Sequence, residues 1–439
     1  MDLSSVIGHH KDQWISEIES IDFESLARLT SFQKRAQRKI SIRDIVLGMI
    51  AVAATAQLSF ERVAASIARR AKNLYSKQAF HKRLNGSVID LLAAVFVSCF
   101  KPALQEATTS GLFSHFKRVL LHDSTTIALP DRYAPQFPGS RNQNKAFSQL
   151  KIQVVCDLLR SSVGHVSLSG FTRNDQRAAP DILSQLQAGD LVIRDLGYFA
   201  WSVFQKIAQL KAFFLSRYRH GVTLFDQTTQ CPIHLAKLLK KQNCFDSQVL
   251  LSEEVRVPVR LIAMPVPEAV ANMRRRKLRQ NRNSKLHPSK EHFYLLGWNI
   301  FVTNVGADIW PPKQLQIIYR LRWRIETLFK AWKSHLGLAQ LSHQCLAMVR
   351  LSVMIKLIFC AFVFRTCHHI ETTGIHAGRH ASIMRVAKIL SDLGSYFEAA
   401  LMNMTPQALL TQLLHQHAFY DKRTDRKNFY ELLLEISNY

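Results

Sequence analysis

Apolar residues recur at helical spacing over residues 42–56 and 63–74 and again over 88–100. Gly86 and Ser87 break the pattern before the last stretch, and Pro102 marks its end. Residues 1–110 therefore read as a helical region. The pattern changes near Phe113: Val119-Leu120-Leu121 predicts a short strand running out into His122-Asp123-Ser124-Thr125-Thr126. Residues 130–144, punctuated by Pro, Gly and Asn, read as a loop. Residues 152–159 and 163–168 predict a hairpin across Arg160-Ser161-Ser162. A short helix over 181–186 follows, then the strand Leu191-Val192-Ile193, which ends in Arg194-Asp195-Leu196-Gly197. A helix over 203–210 and a strand at Phe213-Phe214-Leu215 complete the run. Strand, hairpin, helix, strand, helix, strand describes a mixed α/β layer.

Residues 221–297 interrupt this layer. Alternation over 255–263 predicts a strand, and 292–296 reads as a second one. Between them lie Arg274, Arg275, Arg276, Lys277, Arg279, Arg282, Lys285 and Lys290, read either as a solvated face or flexible loop, or as a loop that grips phosphates. Residues 310–370 are helical again. The remainder, 381–439, is a helical tail with apolar spacing at Leu409, Leu410, Leu413 and Leu414, assigned to dimer contacts.

Charge narrows the function class. Across 439 residues, 58 Lys and Arg face 32 Asp and Glu, a net charge of +26. Such an excess repels itself unless a polyanion relieves it, and nucleic acid is the first candidate. The best apolar stretch, 353–364, contains Lys356 and is bounded by Arg350 and Arg365, short of the roughly 18–20 uncharged residues of a membrane span. No signal peptide is read at the N-terminus. The seven cysteines form no close pairs and read as reduced thiols. A soluble, cytoplasmic, polyanion-binding protein is expected, with the basic N-terminal helices as a DNA-binding domain.

One stretch carries candidate chemistry. Laid on a helix with Tyr319 at zero, Arg322 falls at roughly 300°, Glu326 at roughly 340° and Lys333 at roughly 320°. Leu321, Ile325, Leu328 and Trp332 share a different face. Such a helix buries its apolar side and presents one carboxylate among two cations and a phenol, an arrangement suited to phosphate chemistry in which the acid holds a metal. One Glu cannot hold two metals. The best partners are Asp123 and Asp195, each following a short apolar strand, where a rigid backbone meets the edge of a site.

The run Tyr-x2-Arg-x3-Glu-x6-Lys formed by Tyr319, Arg322, Glu326 and Lys333 resembles the YREK signature of bacterial insertion-sequence transposases of the DDE superfamily, whose core is RNase H-like. Arg322-Trp323-Arg324-Ile325-Glu326 is similar to the hairpin-forming, cut-and-paste members. Asp123-Ser124-Thr125 resembles the first Asp motif of that family, and Asp195-Leu196-Gly197-Tyr198 the second. The resemblance covers residues 115–370. It implies an RNase H-like mixed-sheet catalytic core over 111–380, with a β-rich basic insertion at 221–297, flanked by the helical region 1–110 and a C-terminal dimerisation region 381–439.

The same resemblance implies a catalytic, metal-binding trio of Asp123, Asp195 and Glu326 holding two Mg²⁺ ions, with Mn²⁺ able to substitute. The DNA contacts it suggests are Tyr319, Arg322 and Lys333 on the signature helix, Arg274, Arg275, Arg276, Lys277 and Arg279 in the insertion, and Trp298, which in such enzymes stacks on a flipped base. The partners are double-stranded DNA, both element ends and target, and a second copy of the chain in a synaptic homodimer. Two other readings remain at this point: a structure-specific nuclease on the same core, and a silent DNA-binding protein derived from a transposase.

Overall fold

The computed structural model describes residues 20–33, 40–54, 58–99, 111–141, 146–160, 162–280, 288–341, 345–372 and 380–392, with a few positions from 427 to 435. The apolar positions 409–414, Pro102, Arg282 and Lys285 lie outside the described residues, as does most of the tail from 393 onward.

The N-terminal region is helical: α1 (Phe23–Leu29), α2 (Ile42–Ala51), α3 (Phe60–Ala71), α4 (Lys77–Arg83) and α5 (Gly86–Cys99). Serine caps set several starts. Ser41, Ser59 and Ser76 each accept a hydrogen bond from the backbone N–H three residues on, which satisfies a donor the first turn leaves free. Gly86, expected to break the pattern, instead opens α5. Residues 52–54 tighten into a 3-10 turn where the spacing predicts a longer helix.

The strands are β1 (Arg118–Leu129), β2 (Pro138–Arg141), β3 (Ala146–Asp157), β4 (Ser162–Gly170), β5 (Asp190–Arg194), β6 (Phe213–Arg217), β7 (Leu224–Asp226), β8 (Phe245–Leu251), β9 (Val257–Pro265) and β10 (Trp298–Thr303). Among the described residues these ten form one sheet, ordered β2-β3-β1-β5-β6-β10-β9-β8-β7, with β4 also paired to β3. β1 is antiparallel to β3 and parallel to β5, and β5 is parallel to β6. The hairpin β3–β4 falls where the alternation places it. β2 is a correction: part of the expected loop pairs with β3.

The insertion is not a separate β unit. β7, β8 and β9 join the core sheet through β10, which is antiparallel to both β9 and β6. Two further expectations fail here. Residues 292–296, read as a strand, lie in helix α10 (Lys290–Leu295), started by Ser289, whose hydroxyl accepts from His292 N. The cation run read as loop is largely helix α9 (Glu268–Arg279), the chain order being completed by α6 (Asp175–Ala178), α7 (Trp201–Gln209) and α8 (Leu235–Leu239). Only Ala271 of α9 is buried, so its apolar signal is too sparse to show helical spacing.

Helices α11 (Pro312–Arg320), α12 (Trp323–Ser334), α13 (Leu346–Thr372) and α14 (Ile383–Asp392) follow. Within α13, residues Leu346–His368 are long and apolar enough to cross a membrane, which corrects the shorter span expected from sequence. In the fold this is a core helix, most of its apolar stretch buried inside the protein. Lys356 is buried with it, its amine donating to Ala53 O at 3.4 Å.

Two hydrophobic clusters lie on opposite faces of the sheet. The larger contains Val119, Leu121, Val154, Ile193 and Phe301 and is continuous with α2, α3, α5, α12 and α13. The smaller contains Leu120, Val155, Val192, Phe214 and Val302 and packs under α7 and α8. Alternation along each strand assigns its neighbours to one cluster or the other. All seven cysteines are free.

The N-terminal helices meet at Gly48, where an added Cβ would lie 2.8 Å from Ile67 Cα, a backbone atom that cannot swing aside. Gly48→Ala is therefore expected to destabilise the protein by about 1–3 kcal/mol through overpacking. Urea unfolding checks this. A change within about 0.5 kcal/mol, the range of ordinary surface substitutions, would contradict the close approach.

Candidate active site

Asp123 does not end a strand, as expected, but sits in the middle of β1. Its polar neighbours Ser124, Thr125 and Thr126 remain in the ladder because β3 pairs with β1 from Leu120 to Leu129. On its other side β1 pairs with β5 only as far as His122↔Arg194. Asp195 is the first residue past the end of β5, as the sequence predicts, and it starts the 3-10 turn Leu196–Tyr198. The sheet thus opens a notch just where both carboxylates stand. Asp123 lies on the face of the larger cluster, while His122 points to the opposite face, against the Tyr198 ring at 4.2 Å.

The spacing predicts one helix from Tyr319 to Lys333; instead α11 ends at Arg320 and α12 begins at Trp323. Across the junction the chain tightens to three-residue hydrogen bonds, Arg322 N to Tyr319 O at 3.2 Å and Ile325 N to Arg322 O at 3.1 Å. The junction keeps Leu321, Ile325, Leu328 and Trp332 buried, which is the apolar face the spacing predicts. It also keeps Tyr319, Arg322 and Glu326 on the side that faces the sheet.

The Arg322 guanidinium joins the three acids. Nη1 donates to Asp123 Oδ2 at 3.1 Å, Nη2 to Glu326 Oε1 at 2.5 Å, and Nε lies 3.7 Å from Asp195 Oδ1. Tyr319 Oη donates to Asp195 Oδ1 at 3.4 Å. Residues 199 and 124 positions apart in sequence thus meet at one place. Side-chain exposure rises from 15% at Asp123 to 36% at Glu326 and 43% at Asp195, so the site is closed at its base and open to solvent at its rim.

Burial pushes the Asp123 carboxyl up to about 6, helped by the charges of Asp195 and Glu326 and opposed by the Ser124 N–H and Arg322. Burial alone works to lower Arg322, but the phenol and three carboxylates around it raise it overall. Burial also raises the Tyr319 phenol.

Lys333, two turns beyond Glu326 on α12, is half-buried and forms no ion pair among the described residues; burial lowers its pKa. Trp298 opens β10 but is only 9% exposed and packs in the smaller cluster, on the face opposite the carboxylates, with its ring 6.4 Å from that of Tyr294. The structure does not bring it to the trio. The arginines of α9 divide. Arg274 clasps the start of β10, donating to Leu296 O just before it, to Trp298 O and to the Asn299 side chain at Oδ1, and Arg275 donates to Phe293 O and Glu268. Arg276, Lys277 and Arg279 are exposed, Arg279 with its guanidinium over the Phe293 ring.

Arg217, at the end of β6, is absent from the sequence reading. It pairs across the sheet with Phe301, whose ring lies 5.3 Å from that of Tyr319, and shares Asn299 Oδ1 with Arg274. A lone arginine after an apolar strand gives no signal by itself; only the strand order carries it toward the site.

Among the described residues, no three His, Cys, Asp or Glu side chains stand close enough to hold a single ion together. The trio is spread around the Arg322 guanidinium instead. Its chemistry is nonetheless that of a hard-cation site, carboxylate oxygens only.

A family model described as the transposase DDE domain matches residues 114–363. The insertion sequence IS231D transposase of Bacillus thuringiensis subsp. finitimus is 28% identical over 334 residues, covering 71% of this chain and 70% of its own length. The IS1151 transposase of Clostridium perfringens is 24% identical over 352 residues, 72% of each chain. Among solved structures, a piggyBac transposase synaptic complex with hairpin DNA aligns with a TM-score of 0.42 and 11% identity, over 97% of this chain and 82% of that one. With the mixed sheet ordered β3-β1-β5-β6, β3 alone of the four antiparallel to β1, the architecture is the α/β, RNase H-like core expected from sequence. The chain belongs to the DDE transposase family and is a DNA-processing enzyme of the bacterial insertion-sequence type.

Proposed function

We propose that this transposase cuts DNA at the ends of an insertion element and joins them to target DNA, with Asp123, Asp195 and Glu326 as its catalytic carboxylates. The observation that carries the reading is the convergence of these three acids on Arg322 at one notch of the sheet. Mg²⁺ ions, with Mn²⁺ as substitute, would be held by the three acids and would supply an activated water or 3′-hydroxyl and stabilise the leaving oxygen. Tyr319, Arg322 and, two turns along α12 from Glu326, Lys333 bind the phosphate being cut; Arg322 already spans all three acids and can offer its planar fork to phosphate oxygens. Asp123, at the closed base, keeps its position through the Ser124 N–H at 2.8 Å.

The YREK-type signature favours a cut-and-paste course through a hairpin: a freed 3′-hydroxyl attacks the opposite strand, water opens the hairpin, and the same hydroxyl attacks the target. No Ser or Tyr nucleophile is required. Arg276, Lys277 and Arg279 on α9 and the basic helices α3 and α4 contact DNA phosphates beyond the site. Paired element ends call for a homodimer, and residues 381–439 are its proposed contact.

Alanine at Asp123, Asp195 or Glu326 should each slow Mg²⁺-dependent cutting of DNA carrying the element ends by about a hundredfold or more, about 2.7 kcal/mol in barrier. Full activity in any of the three would remove that residue from the site. Replacing Arg276, Lys277 and Arg279 with Ala should make the slope of log affinity against log salt shallower by about 1 for each phosphate no longer neutralised; an unchanged slope means that α9 does not touch DNA.

Ion uptake should depend on pH. The fold holds the proton of Asp123 more tightly than the unfolded chain does, since burial raises this carboxyl from 3.8 to about 6. Protonated Asp123 therefore favours the ion-free fold at acid pH, and Mn²⁺ affinity should climb with pH up to about 6 and level off above it. A flat Mn²⁺ titration between pH 5 and 7 would exclude Asp123 as the titrating ligand.

A further inference from the structure

The face of the sheet opposite the carboxylates carries a connected polar group that the reaction does not use. Asp175, at the start of α6, accepts at one oxygen from three side chains: Ser124 Oγ at 2.8 Å, Lys151 Nζ at 3.0 Å and Gln153 Nε2 at 3.3 Å. Ser124 is on β1, and Lys151 and Gln153 are on β3. Gln153 Oε1 in turn accepts a short hydrogen bond from the Tyr198 hydroxyl. Gln153 and Tyr198 are both fully buried.

This group touches both Asp-bearing segments from behind. Ser124 joins Asp175 through its side chain, while its backbone N–H holds Asp123 Oδ1 at 2.8 Å on the other face. Tyr198 closes the 3-10 turn that Asp195 begins, its N–H bonded to Asp195 O at 3.1 Å. Between them, Gly197 packs so tightly that a Cβ there would lie 3.1 Å from Asp175 Oδ2 and 3.3 Å from Asp175 Cβ. The residue before Asp195 is fixed to the same side: Arg194, fully buried, donates to Ala179 O at 2.6 Å and lies over the Tyr198 ring at 5.2 Å. The turn carrying Asp195 is thus tied on one flank to β3, through Tyr198 and Gln153, and on the other to β1, where Arg194 Nη2 lies 3.2 Å from His122 Nδ1. The Gly-Tyr pair after the Asp has a physical reason: glycine admits Asp175, and tyrosine reaches Gln153.

We propose that Asp175, Gln153 and Tyr198 are positioning residues which fix the separation of Asp123 and Asp195 through the sheet, and thereby set the affinity of the site for divalent ions. The proposal rests on the reading of Asp123 and Asp195 as ion ligands. Groups that orient metal ligands from behind typically change affinity about 10- to 100-fold when removed.

The test is Mn²⁺ binding to the full-length protein without DNA, followed by the electron paramagnetic resonance signal of free Mn²⁺, together with thermal unfolding. Tyr198→Phe removes one hydroxyl and keeps the ring. Ser124→Ala removes the other link to Asp175 and keeps the backbone N–H on Asp123, and serves if Tyr198→Phe does not fold. Asp195→Ala is the control. The expected result is Mn²⁺ affinity weakened about tenfold in either variant, with binding of element-end DNA in EDTA unchanged. Wild-type affinity in the folded variants, alongside weakened affinity in Asp195→Ala, overturns the positioning role; a lowered melting temperature with unchanged Mn²⁺ affinity does the same, since it marks a merely structural network. Wild-type affinity in Asp195→Ala overturns instead the assignment of Asp195 as a ligand.

Discussion

Three carboxylates cannot share one notch of a sheet without a cation among them. At about 4 Å, two like charges repel by about 4 kcal/mol even at an effective dielectric near 20, and Asp123 is largely buried besides. Arg322 answers this with a single planar group that reaches all three acids. Much of the local fold follows from that need. The chain tightens between α11 and α12 so that Arg322 faces the sheet, and β5 stops at Arg194 so that Asp195 can turn toward it. Even so, the compensation is partial: the Asp123 carboxyl remains well above its ordinary value because desolvation outweighs the guanidinium. The site is left electrostatically unsatisfied at its base and solvated at its rim.

Positive charge elsewhere does different work. Arg274 and Arg275 serve the protein itself by clasping the ends of β10 and α10. Arg260 is buried in β9 and is paired with Asp246 at 2.7 Å while also donating to Trp310 O. These cations bind backbone and carboxylate, so a count of basic residues overstates the surface offered to a polyanion. Arg276, Lys277, Arg279 and Lys290 are the members of the insertion's cation run that face solvent among its described part.

The hydrophobic pattern makes the core legible. Strands β4, β5 and β6 and helices α3, α5 and α7 fall close to their expected places, and β1, β3 and α2 lie where expected with different ends, because each has an apolar face wide enough to show its period. Errors arise where that signal thins. β1 continues through Ser124-Thr125-Thr126, polar residues that stay in register because β3 is paired opposite them. α10 buries only Leu295, so five residues can pass for a strand. The three acids are legible from motif and strand position, although Asp123 stands in mid-strand and not at the strand end that its sequence suggests. Arg217, Asp175 and Gln153 are not legible, since each is an ordinary polar residue whose meaning depends on which strands lie side by side, and strand order is not written in local periodicity.

The continuity of the sheet has one more consequence. Because β10 bridges β6 and β9, the basic helix α9 is carried on an extension of the core sheet and not on a tether. Excising the insertion would strip β10 of one neighbour and leave its N–H and C=O groups as an open template for another chain. Growth of such an enzyme by adding strands at an edge leaves the chemistry undisturbed, but it is hard to reverse: once the ladder has been lengthened, shortening it invites aggregation.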